Sequence, residues 1–173
     1  MTTLRFPKPS FESLLRHYQT DPETVHTCAI LNPTAQDDGI NTCAGRLSEA
    51  LVLANGLAAD RAAIQRNRRK DGVYPLLGPY GFTTFGNLCN HGIARGARDL
   101  GEFLTHHWGR PTHAFTARDD GAAPAELDQK TGVLCFVKIP GFSGQGHVDV
   151  WNQTRAVGSG YWNSQKIWFW SLS

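Results

Sequence analysis

The chain has 173 residues, 40% of them hydrophobic, which is enough to bury a sizeable core within one domain, and residues 1–173 are read as a single unit. A formal net charge of +2 and a pI near 8.4 are too mild to argue for nucleic acid and permit only a weak attraction to acidic surfaces. No apolar stretch approaches the roughly 20 residues of a membrane crossing, and the start MTTLRFPKPS lacks the apolar centre of a signal peptide. Export would therefore need a dedicated machine.

Pro9 and Ser10 open a short helix in which Phe11, Leu14, Leu15 and Tyr18 form an inward stripe, with Ser10 as cap and Asp21 with Pro22 as the stop. Residues 32–39 read as a polar turn leading into NTCAGRLSEAL. There Cys43, Leu47, Ala50, Leu51 and Ala54 recur at helical spacing on one face, and Arg46 and Glu49 lie off it. Asn41 or Thr42 caps this helix and Asn55 with Gly56 ends it. A thiol at a helix start meets the positive end of the macrodipole, which favours its thiolate. The competing role for Cys43 is that of one more small buried hydrophobe.

The basic cluster Arg66, Arg68, Arg69 and Lys70 reads as a solvated loop or helix end. Residues 72–81, with Pro75 and Pro79, form a loop of the kind that lines clefts, and Cys89, Asn90 and His91 also fall in a loop. Leu100, Phe103, Leu104, His107 and Trp108 mark a helix stopped by Gly109 and Pro111, with His107 a packed or partly exposed face residue rather than a ligand. Residues 117–130 are rich in Asp, Ala and Gly and read as a mobile surface insertion. From Val133 onward the chain reads as three strands, so helices precede an antiparallel sheet in an α+β fold; eighteen glycines and nine prolines favour this over a helical bundle.

Cys135 lies in the apolar run from Val133 to Ile139 and belongs to the core. None of the four cysteines forms a CxxC pair, so a structural zinc is not expected, and a cysteine–histidine mechanism calls for no metal or cofactor; Cys28 and Cys89 could pair as a disulfide in an oxidising compartment. In GHVDVW, alternation puts His147 and Asp149 on one face and Val148 with Val150 on the other, and the alternative is an ordinary half-exposed strand. An imidazole brought beside the Cys43 thiol would complete a nucleophile and base pair. In KIWFW, Ile167 and Phe169 share one face, Trp168 and Trp170 the other; with Trp162 these aromatics read as closing the core rather than as a sugar platform.

Taken in order, NTCAGRLSEAL, DLGEFLTHHWGRP, GVLCFVKIP, GHVDVWN and KIWFW resemble the type VI secretion amidase effector 4 family of papain-like (NlpC/P60-type) peptidoglycan amidases, from about Pro9 to the C-terminus. The resemblance implies a protein made in the cytoplasm and injected by one bacterium into the periplasm of another. There it would hydrolyse the D-glutamyl-meso-diaminopimelate bond of peptidoglycan stems, and the producer would hold an immunity protein that blocks the cleft. Cys43 matches the family nucleophile and His147 its base. The family completes its triad with an aspartate a little beyond the histidine strand, but no Asp or Glu follows Asp149 here.

Two residues compete for that third role. Asp149 carries a suitable charge, but its Cβ lies about 6.5–7 Å along the same strand, long for direct contact. Asn163 can reach from a neighbouring strand as asparagine does in papain-type sites; Asn152 and Ser159 are weaker candidates. Asp149 is favoured narrowly, against a purely structural or substrate-facing role. Rival functions are a transglutaminase, deamidase or other cysteine peptidase on this fold, and a binding module without chemistry.

Overall fold

The computed structural model describes residues 3–18, 42–118 and 120–173. Helix α1 (Phe11–His17) starts where the Ser10 hydroxyl accepts the Ser13 N–H at 3.2 Å. It ends at Tyr18, which turns extended; the Asp21–Pro22 stop, the turn at 32–39 and the Asn41 cap lie outside the described residues.

Helix α2 (Cys43–Ala54) is buried over nearly its whole surface, which corrects the one-sided reading of its sequence. Glu49, expected off the apolar face, is 2% exposed and its carboxylate meets the Arg61 guanidinium at 3.5 Å. Ser48 is also buried, donating to the Gly45 carbonyl and accepting the Ala94 N–H, each at 3.2 Å. A helix wrapped on all sides carries its few polar groups only where each finds a partner. Asn55 caps its end, followed by Gly56 at φ +68°, as the sequence predicts.

Short helix α3 (Arg61–Arg66) is capped by Asp60, and two single 3₁₀ turns, Gly78–Tyr80 and Phe82–Thr84, shape the loop that follows. Helix α4 (Ala97–Trp108) ends at Gly109, φ +89°. His107, near that end, is structural: its Nδ1 accepts the Phe6 N–H at 3.0 Å and its Nε2–H donates to the Tyr80 carbonyl at 2.9 Å. Burial lowers its pKa, so the neutral ring serves as a two-way bridge.

The sheet is antiparallel in the order β1-β5-β2-β3-β4, formed by β1 (His113–Phe115), β2 (Lys130–Val137), β3 (Gly146–Gln153), β4 (Arg155–Ala156) and β5 (Lys166–Ser171). Three strands are those expected; β1 and β4 are edge strands too short for an alternation signal. The segment 117–130, expected to be a loose insertion, is anchored by the 3₁₀ turn Ala125–Leu127. Leu127 is fully buried, and its carbonyl accepts the Trp151 indole N–H at 2.7 Å.

Alternation along the strands sorts side chains onto two covered faces. Val133, Cys135, Val148, Val150 and Trp170 join the helices in the larger core. Leu134, Phe136, Trp151, Ile167 and Phe169 form a second cluster on the other face, with Trp162 packed against it. The split of KIWFW is therefore the one its alternation predicts, and Trp162, 5.0 Å from the Phe136 ring and 5.5 Å from that of Trp151, serves packing. Against the larger core lie α2, which packs on β3, and α4, which packs on β2 and β3.

Candidate active site

Cys43 is the first residue of α2 and is 1% exposed. Thr42 precedes it as cap without a side-chain hydrogen bond, so no threonine hydroxyl occupies the amides of the first turn. The sulfur thus sits at the positive end of a twelve-residue helix dipole.

His147 is the second residue of β3, and the glycine before it has a geometric reason. Gly146 adopts φ +137°, and a Cβ there would lie 2.0 Å from the Phe136 carbonyl oxygen, so only glycine lets β3 start close against β2. His147 is 8% exposed and hydrogen-bonds to Cys43. Its Nε2–H donates to Asp149 Oδ2 at 2.8 Å, which leaves Nδ1 as the ring nitrogen for the sulfur. The contact judged long from strand geometry is therefore direct. On its outer side β3 pairs with β4 through Trp151 and Asn152, and the Val150 carbonyl accepts the Val157 N–H at 2.8 Å.

Asp149 is wholly buried, and its carboxylate accepts five hydrogen bonds. Oδ1 takes the Tyr18 hydroxyl at 3.1 Å, the Val150 N–H at 2.8 Å and the Gly158 N–H at 2.9 Å; Oδ2 takes His147 and the Ser159 N–H at 2.6 Å. Gly158 permits this cradle, since a Cβ there would fall 2.6 Å from Oδ2. Ser159 takes part through its backbone. Asn163 is exposed and Asn152 stands in the ladder opposite Thr131 and Arg155; among the described residues neither hydrogen-bonds to His147.

Burial by itself opposes charge on both members, and their hydrogen bonds outweigh it. For His147, burial lowers the pKa, while the bond to Asp149, the bond to Cys43 and the charges of both raise it, to about 9. For Asp149, burial raises the pKa, while His147 and the amides of Ser159 and Gly158 bring it below its ordinary value. Tyr18 is pushed upward by burial and by the Asp149 and Cys43 charges, so its hydroxyl stays a donor. The arrangement is an imidazolium held between an acid and a sulfur across the neutral range, the apparatus needed to activate a thiol and to protonate a leaving group.

Tyr18 and Gly158 are the members that the sequence reading misses. Tyr18 looks like one more residue of an apolar stripe, and Gly158 like one of many loop glycines. Cys135 is free, deeply buried and pushed upward by burial, consistent with a core role. Cys89 is disulfide-bonded, whereas Cys28, its expected partner, lies outside the described residues. Cys89, Asn90 and His91 fall in a loop, where Arg68 Nη1 lies 2.6 Å from His91 Nε2. No group of three or more His, Cys, Asp or Glu side chains is arranged to hold a metal among the described residues.

Comparison with known proteins gives a consistent result. The family described as "Type VI secretion system (T6SS), amidase effector protein 4" matches residues 40–170, a span that contains Cys43, His147 and Asp149. The type VI effector Tae4 from Enterobacter cloacae shares the fold, with a TM-score of 0.63 at 16% identity over 98% of this chain and 100% of that one. The Tae4-Tai4 effector-immunity complex from Salmonella Typhimurium matches with a TM-score of 0.59 at 19% identity, over 96% of this chain and 100% of that chain. No curated protein sequence matches. With three quarters of its length inside the family's span and the papain-like α+β fold of its solved members, the chain belongs to the type VI secretion amidase effector 4 family.

Proposed function

We propose that this amidase works as a single domain of residues 1–173 and cleaves the D-glutamyl-meso-diaminopimelate bond of peptidoglycan stems, with Cys43 as nucleophile, His147 as acid and base, and Asp149 as the residue that orients His147. The carrying observation is the continuous hydrogen-bonded relay from Cys43 through His147 to Asp149.

In the first half-reaction the Cys43 thiolate attacks the amide carbonyl carbon, forming a C–S bond. Collapse of the tetrahedral adduct breaks the C–N bond, and the departing amine takes its proton from the His147 imidazolium. Water then attacks the thioester, giving its proton to His147, and the C–S bond breaks to release the acid and restore the thiolate. The sum is amide plus water giving carboxylic acid plus amine. N–H groups of the first turn of α2, that of Cys43 among them, serve as oxyanion donors. Asp149 keeps Nε2 protonated and so leaves Nδ1 for the sulfur.

Delivery by a type VI machine into a target periplasm accounts for how such a chain reaches its substrate, and no described helix is long and apolar enough to cross a membrane. The solved effector-immunity complexes support a cognate immunity protein as partner. The test is to digest purified sacculi and identify products by mass spectrometry. The expected products carry a new D-glutamate carboxylate and a new diaminopimelate amine; loss of a different bond, or transfer of the acyl group to an amine, would assign another reaction.

A further inference from the structure

Four large apolar side chains are notably exposed among the described residues: Leu4, Val73, Phe142 and Tyr161. Two of them stand on the loops that meet at the His147 end of the sheet. Register fixes this: Val137 pairs with Gly146 on one side and Lys166 on the other, so the loops 138–145 and 157–165 both close over the end where His147 lies. Phe142 belongs to the first loop and Tyr161 to the second.

Tyr161 touches the imidazole itself. Its ring stands edge-on to His147, with centroids 5.1 Å apart and planes at 69°, while Phe136 lies nearly parallel to His147 at 6.1 Å. Phe136 is fully buried and can contact nothing from outside, whereas Tyr161 is 37% exposed. Its backbone is fixed, because the Tyr161 carbonyl accepts both the N–H and the hydroxyl of Ser164, and the same loop supplies the Gly158 and Ser159 amides to Asp149. An aromatic side chain that packs on Phe136 and His147 yet stays more than a third exposed, beside the proton donor, is placed to meet substrate.

We infer that Tyr161 is a specificity-determining residue of the leaving-group side, its ring forming a wall for the aliphatic side chain of the residue whose amine is released. This rests on the catalytic reading above. The imidazolium must reach the departing nitrogen, so the residue bearing that nitrogen passes over His147 and meets the exposed ring beside it. A peptide residue with a long methylene chain, as diaminopimelate has, buries that chain against the ring; the acyl side lies toward the sulfur.

The test compares wild type with Tyr161→Ala and Tyr161→Phe in two assays, hydrolysis of soluble stem peptide and alkylation of Cys43 by iodoacetamide, a reagent with no leaving-side residue. Tyr161→Ala should lose about tenfold in kcat/KM, the scale of one or two methylene contacts, while alkylation stays within about twofold and Tyr161→Phe is near wild type. The amine-bearing product fragment should inhibit wild type and inhibit Tyr161→Ala more weakly. Unchanged hydrolysis, alkylation falling in step with hydrolysis, or equal or absent inhibition of both enzymes by that fragment would overturn the assignment. Normal hydrolysis by Cys43→Ala would instead overturn the catalytic reading, whatever the Tyr161 variants do.

Discussion

His147 and Asp149 stand two residues apart on one strand, yet Nε2 of the first lies 2.8 Å from Oδ2 of the second. An acid and its imidazole on one strand share a rigid backbone, so the alignment does not depend on a distant loop. The loop contributes instead by clasping the acid through the Gly158 and Ser159 amides.

Replacing that acid tests two roles at once. Asp149→Ala strands several buried donors and should destabilise the protein by about 3–5 kcal/mol, measured by urea denaturation. Asp149→Asn keeps the shape, and because an amide can also donate, it no longer enforces an Nε2–H tautomer; kcat should fall at least about tenfold with a smaller loss of stability. An Asp149→Asn enzyme with unchanged kcat would leave Asp149 a purely structural residue. Asn163→Ala, at an exposed position, should be neutral in both assays.

The pH dependence follows from the raised His147 pKa and the lowered Asp149 pKa. His147 charge contributes stability fully below its ordinary value of 6.5, and the contribution fades as pH rises through about 9. Asp149 charge contributes above its ordinary 3.8, and the contribution is lost as pH falls through its lower folded value. The kcat/KM profile should therefore fall on an alkaline limb near pH 9, as the imidazolium that protonates the leaving amine is lost. A limb near 6.5 would mean that the contacts to Asp149 and Cys43 do not hold the charge.

Tyr18→Phe removes one of the five donors on Asp149 and leaves the ring in place. Stability should drop by about 1 kcal/mol. With less of its charge held by the tyrosine, Asp149 binds the imidazolium more strongly, so the alkaline limb should move to higher pH. NMR titration of the His147 ring reads this directly; a move to lower pH would contradict the role given to Tyr18.

Gly146→Ala and Gly56→Ala separate close packing from backbone conformation. Both glycines have positive φ, but a Cβ at Gly56 meets nothing within 4 Å while one at Gly146 meets the Phe136 carbonyl at 2.0 Å. Gly56→Ala should cost about 1 kcal/mol and Gly146→Ala at least about 3 kcal/mol, compared by thermal unfolding. Equal costs would argue against the close approach of β3 to β2.

Much of this was legible in the sequence because local periodicity carries it. Helical spacing around Cys43 and strand alternation around His147 and KIWFW place those side chains without knowledge of the fold. Periodicity sets Glu49 off the Cys43 face but cannot show that this side is buried as well, against Arg61 on another helix. The strands at His113–Phe115 and Arg155–Ala156 are made by pairing with neighbours rather than by their own pattern. The Tyr18 contact joins residues 131 positions apart, and no local rule reports it. Strand rise alone makes Asp149 look remote; it measures Cβ separation and ignores how far an imidazole and a carboxylate can lean toward each other.

The most direct measurement is the release of cleaved stem peptides from purified sacculi by wild type and by Cys43→Ala, at matched concentration and with folding checked by circular dichroism. The predicted result is complete loss of product from a folded Cys43→Ala protein. Turnover by that variant at the wild-type rate would contradict the account, because the relay through His147 and Asp149 would then have no sulfur to serve.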